Sequence, residues 1–208
     1  MSHVLDFDLH LGDLLFQDLG GGAMSEAIAT VTRGYRGARI THVAMVVSFR
    51  RGGAVIEALY PSVRYEPLMR FLQRATDDHG RPAVLVGRLL PEHRGLIPRT
   101  LAEADRLVGR PYDVVFGHTE DAYYCSELIV DIFRAANGGH ALFHEHPMAF
   151  SDPVTGTVDP YWVAHFAALG LPVPEGEVGS NPASLSMEPV LAIEHQYGSL
   201  HGLPLPDG

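Results

Sequence analysis

HVAMVVSF (42–49), RRGG (50–53) and AVIEAL (54–59) form the stretch on which the fold turns. Two runs of β-branched and apolar residues flank a turn-prone loop, the pattern of an antiparallel hairpin. Two polar residues interrupt it: His42 opens the first run, and Glu57 sits inside the second. Acidic residues are depleted in strands, so Glu57 is either an outward-facing side chain on a half-exposed strand or a residue with a polar task. A symmetric four-residue loop would set Glu57 opposite Val46. That is the same face as His42, but it lies about four residues of rise away, at roughly 3.3 Å each. Contact between Glu57 and His42 therefore requires a bulge or an asymmetric loop.

Outward from the hairpin, LGDLLFQ (11–17) reads as a turn and a short strand, and Gly20, Gly21 and Gly22 break it before a periodic segment, Ala23 to Arg33, that predicts a helix. Pro67 opens a short helix through Arg74. AVLVGRL (83–89) is another strand, and Ile97 to Val108 has helical spacing that Gly109 ends. After Tyr124, apolar residues at Leu128, Ile129, Ile132 and Phe133 predict a helix stopped by Asn137-Gly138-Gly139, with Cys125 at its N-terminus. From residue 171 onward there are six prolines, five glycines and no positive charge. This division predicts one domain over 1–170 and a C-terminal tail over 171–208, wrapping the domain or partly disordered.

Cys125 is the only cysteine. It cannot make an internal disulfide, which fits a reducing compartment. A lone cysteine at the start of an apolar helix serves well as core filler. A helix N-terminus and a neighbouring imidazolium would instead both favour the thiolate, the form that attacks. YYCSELI also sets aromatic rings before the cysteine and an acidic first turn after it.

Composition removes several function classes. All fifteen basic residues are arginine, so no lysine can form a Schiff base, cradle a phosphate or act as a general base. A formal net charge of −10 without a basic run argues against nucleic-acid binding. The N-terminus lacks a secretory pattern, and no apolar run reaches the roughly 18 residues of a membrane span, so a cytoplasmic protein without stable membrane insertion is expected, with export by a signal-independent route as the alternative. His140, His144 and His146 cluster in GGHALFHEHP (138–147), but Gly138, Gly139 and Pro147 frame a solvated loop and there is no HExxH, so no metal or other cofactor is expected. Absence of a G-x-S-x-G elbow disfavours a serine hydrolase.

Taken together, GDLLF (12–16), THVAMVV (41–47), VIEA (55–58), GRPYDVVF (109–116) and YYCSELIV (123–130) resemble the permuted branch of the NlpC-type cysteine hydrolases, the YiiX/YebB-like proteins, over roughly residues 11 to 135. The histidine strand precedes the cysteine helix, inverting the ordinary NlpC order. The resemblance implies an α+β papain-like fold, circularly permuted, with a small antiparallel sheet packed against helices. It further implies Cys125 as nucleophile, His42 as base and then acid, and Glu57 as the residue orienting His42. Tyr112 matches the family's Tyr-bearing segment and is either a substrate-site residue or a packed ring after the Gly-Arg-Pro turn, and Tyr124, from the aromatic pair before the cysteine, is the other candidate at the substrate. The implied reaction is hydrolysis of an amide bond in a small peptide or amide, such as a cell-wall-type peptide or a lysine-linked amide. Acyl transfer, lipid-ester hydrolysis and a catalytically silent binding module are the rival readings on the same fold. Ala44 departs from the family's His-Val-Gly strand, where a methyl group would either narrow the cleft or be harmless.

Overall fold

The computed structural model describes residues 7–117, 119 and 121–205; the outer ends of the ranges 1–170 and 171–208 lie outside the described residues. In chain order the elements are β1 (Leu14–Gln17), α1 (Ala23–Val31), β2 (His42–Ser48), β3 (Ala54–Leu59), β4 (Ser62–Pro67), α2 (Leu68–Arg74), β5 (Val84–Leu89), α3 (Ile97–Leu107), α4 (Cys125–Ala136), β6 (His146–Pro147), α5 (Pro160–Leu169), β7 (Val178–Gly179), α6 (Pro182–Leu185) and β8 (Leu191–Tyr197). Six strands make one antiparallel sheet in the order β4-β3-β2-β1-β5-β8, and β6 pairs with β7 apart from it. The architecture is α+β and papain-like.

Alternation along the strands covers both faces of the sheet. Leu14, Phe16, Val43, Met45, Ile56 and Ala58 point one way and bury against Leu128, Ile129, Ile132 and Phe133 of α4. Leu15, Ala44, Val46 and Val55 point the other way, under Leu68, Phe71 and Leu72 of α2. Ala44, the departure from the family strand, is therefore a core residue beneath α2.

The hairpin departs from the symmetric loop. Ser48 pairs with Ala54, but Val46 pairs with Val55 and Met45 with Ile56, the register shifting between Val46 and Ser48. Continued toward His42, this register sets Glu57 opposite Ala44, one diagonal step from His42 on the same face. Diagonal neighbours in a sheet lie about 7–8 Å apart, within reach of two long side chains.

Two further strands lie where sequence patterning gave none. SVRYEP forms β4, pairing with β3 through Ala54↔Pro67 to Leu59↔Ser62. The Pro- and Gly-rich segment beyond residue 170 supplies α6 and β8, which lies along β5 from Val84↔Tyr197 to Leu89↔Leu191. The described part of that segment thus supplies β7, α6 and the outer strand of the main sheet.

Candidate active site

Cys125 is the first residue of α4, preceded by an N-cap at Tyr124 whose backbone N–H donates to Glu127 Oε2 at 3.2 Å. The four leading N–H groups of a helix have no partner within it, so the Cys125 N–H belongs to a ready-made anion site. Cys125 is 6% exposed. His42, 2% exposed, begins β2 at the end of the sheet that faces it.

The His42 ring is held by Glu57: its Nε2–H donates to Glu57 Oε2 at 2.8 Å. Burial alone would disfavour the imidazolium. The nearby Cys125 thiol and the Glu57 carboxylate outweigh that cost and raise its pKa from 6.5 to about 9.

Glu57 is fully buried and accepts from several donors at once. Arg74 Nη1 donates to Oε2 at 2.7 Å and Arg74 Nη2 to Oε1 at 2.9 Å, a bidentate fork, while Arg64 Nε donates to Oε1 at 3.2 Å. Burial pushes this carboxyl up, but the hydrogen bonds from His42 and Arg74 prevail and bring it from 4.5 down to about 2. Arg64 and Arg74 were not singled out in the sequence. The alternation of Arg64 with Glu66 in SVRYEP was the one signal the sequence held for Arg64, and its pairing with Glu57 comes only from the structure. Gln17 was also missed. It lies directly across from His42 in the β1–β2 register, fully buried, with neither amide atom in a hydrogen bond.

Tyr112 and Tyr124 both line a cavity of about 60 Å³ that opens on Cys125. Tyr112 pairs with Tyr123 in an isolated parallel bridge and stacks edge-on against Phe116. Its phenol is raised well above 10, by burial first and then by the nearby Cys125 charge, so it stays a neutral hydrogen-bond donor. Tyr124 turns its hydroxyl to the far wall, accepting from Ser180 N at 3.1 Å and reaching Met148 Sδ at 3.9 Å. The structure thus brings Cys125, His42, Glu57, Tyr112 and Tyr124 to one end of the sheet.

The histidines of the 138–147 loop are elsewhere. His144 Nδ1 lies 2.8 Å from Glu188 Oε2, and His144 stacks near His146. Among the described residues, no group of three or more His, Cys, Asp or Glu side chains is placed to hold a metal ion. Nor is any helix among them long and apolar enough to cross a membrane.

Comparison with known proteins adds three findings. The model of a family described as permuted papain-like amidase enzyme, YaeF/YiiX, C92 family, matches residues 8–192. YiiX of Escherichia coli strain K12, described as uncharacterized, is 31% identical over 129 residues, which span 61% of this chain and 58% of that protein. A crystal structure of YiiX from Escherichia coli O157:H7, described as a metalloprotein, matches with a TM-score of 0.72 at 23% identity, covering 89% of this chain and 96% of that one. At that identity the last likeness is one of fold.

Proposed function

Because the chain belongs to the permuted papain-like amidase family, we propose that it hydrolyses an amide bond through Cys125, His42 and Glu57. The observation that carries this reading is the buried His42 ring, hydrogen-bonded to the Glu57 carboxylate and near enough to the Cys125 thiol for the thiol to raise its pKa. Glu57 accepts from Nε2–H and so fixes the tautomer and orientation, leaving Nδ1 to exchange a proton with sulfur. Arg74 and Arg64 keep Glu57 ionised, and an ionised Glu57 stabilises the imidazolium.

In this reading Cys125 gives its proton to His42, and the sulfur attacks the amide carbonyl carbon. The developing oxyanion meets the N–H groups at the start of α4, with the neutral Tyr112 phenol nearby as a second donor. The tetrahedral intermediate collapses as His42 passes its proton to the departing amine, leaving a thioester on Cys125. Water then loses a proton to His42, adds to the thioester and releases the acid, and the proton returns to the sulfur. No group outside the chain and water is needed for the proton balance.

The test is alkylation of Cys125 by iodoacetamide followed over pH. The expected outcome is labelling well faster than that of glutathione near neutral pH, lost in His42→Ala, together with amide hydrolysis that Cys125→Ala abolishes. A thiol that reacts no faster than glutathione, or labelling indifferent to His42, would leave a papain-like fold without its chemistry.

A further inference from the structure

The cavity beside Cys125 has a character that amide chemistry alone does not require. Its walls are Ile28 and Val31 of α1, Met148 and Phe150 of the segment after α4, Trp162 of α5, and Pro182 at the start of α6. Among the described residues, no charged side chain lines it.

Several of the polar side chains that line it are occupied by one another or by the backbone. Thr32 Oγ1 donates to Ile28 O at 2.8 Å, Ser180 Oγ to Ser126 Oγ at 3.1 Å, and Asn181 accepts from Ser184 N at 2.8 Å while its amide donates to Ser184 Oγ at 3.0 Å. The Tyr124 hydroxyl is taken by Ser180 and Met148. The Trp162 indole N–H is buried without a partner and offers a neutral donor. An ammonium or carboxylate entering here would shed water and find no counter-charge, whereas an apolar group would replace water against apolar walls.

From this lining we infer that the cavity binds an uncharged apolar group attached to the scissile amide, either an aliphatic acyl chain or the apolar side chain of a peptide. The inference rests on Cys125 being the nucleophile. It narrows the substrate class by setting aside, for the group in this cavity, the charged end of a lysine-linked amide or of an acidic cell-wall peptide.

Trp162 is the only tryptophan of the chain and stands in the cavity wall, so its emission reports occupancy directly. The experiment titrates the full-length Cys125→Ala protein with butanamide, hexanamide, octanamide, N-acetyl-leucinamide, N-acetyl-phenylalaninamide, lysinamide and the α-amide of glutamic acid. The expected result is a saturable change in emission for the apolar amides, tightening about fourfold per added methylene until the cavity is full, and none for the two charged amides. Tighter binding by octanamide identifies an acyl chain, and tighter binding by the acetylated amino-acid amides identifies a peptide side chain. Ile28→Asp, at a half-buried position of α1, is expected to weaken the best apolar probe at least about tenfold. The series in the unaltered wall stands even if that variant folds poorly.

Lysinamide or the glutamate amide binding as tightly as the apolar probes, or no apolar probe binding at all, would overturn the assignment. Its failure is separable from that of the hydrolase reading. Charged amides binding to a protein whose Cys125 labels in a His42-dependent way sinks only the cavity assignment. Apolar amides binding beside an unreactive Cys125 sinks only the nucleophile.

Discussion

A carboxylate with no exposed surface, shared by one histidine and two arginines, is a costly arrangement that Glu57 sustains because each of its oxygens has donors. Glu57→Gln keeps one acceptor oxygen and turns an amide N–H₂ toward groups that are themselves donors. We expect it to shift the Cys125 alkylation profile toward higher pH, and His42→Ala to shift it further. A Glu57→Gln profile that overlays the parent would reduce the triad to a dyad. The same carboxyl sets an acid limb for stability. Its folded pKa of about 2 lies below the ordinary 4.5, so its contribution is complete above 4.5 and is lost as pH falls toward 2. The shift corresponds to on the order of 3 kcal/mol, and urea titrations at pH 7 and pH 3 should show the parent losing stability that Glu57→Gln never had. His42 runs the opposite way. Its pKa is raised to about 9, so its contribution is present below 6.5 and disappears as pH rises through 9, and hydrolysis should decline over the same range as the leaving amine loses its proton donor.

At the scale of elements, the hairpin decides whether Glu57 reaches His42 at all. Both strands were legible in the alternation of HVAMVV and AVIEAL, and so was the need for a register shift, but not its place, because a bulge is set by turn geometry and packing rather than by side-chain type. The structure puts the shift between Val46 and Ser48 and closes the loop on Arg51, Gly52 and Gly53, all at positive φ. Gly53 is the constrained member. Its φ is 87° with ψ 155°, and a Cβ there would stand 3.1 Å from Leu68 Cδ2 and 3.3 Å from Ser48 O. Gly53→Ala is therefore expected to cost about 1–3 kcal/mol and to slow labelling of Cys125 as the register loosens. A variant with parent stability and parent labelling would show that the loop does not hold the register. β4 was harder to read: SVRYEP alternates polar residues on an edge strand, and its worth lies in Arg64 facing Glu57, a partner that no local pattern names.

For the molecule as a whole, the composition boundary at residue 170 does not mark where the sheet ends. LAIEHQY does carry period-two alternation, but prolines and glycines flank it, and a strand whose partner lies about a hundred residues earlier leaves no local trace. β5 lies between β1 and β8, with Val84, Leu85 and Val86 fully buried. Removing β8 would bare the N–H and C=O groups of β5 along Val84–Leu89, a long apolar edge of the kind that recruits other chains. Ending the chain at residue 170 would also take away Ser180, Asn181 and Pro182 from the cavity wall and the Tyr124 hydroxyl's backbone donor. We expect a chain ending at residue 190 to aggregate or melt well below the full chain. One ending at residue 170 should in addition show Trp162 emission shifted to the red as water enters beside the ring. Size-exclusion chromatography, thermal melts and emission spectra of the two truncations decide the matter. A 1–170 chain that stays monomeric, melts with the parent and labels at Cys125 at the parent rate would show that the last strand is dispensable to both the fold and the site.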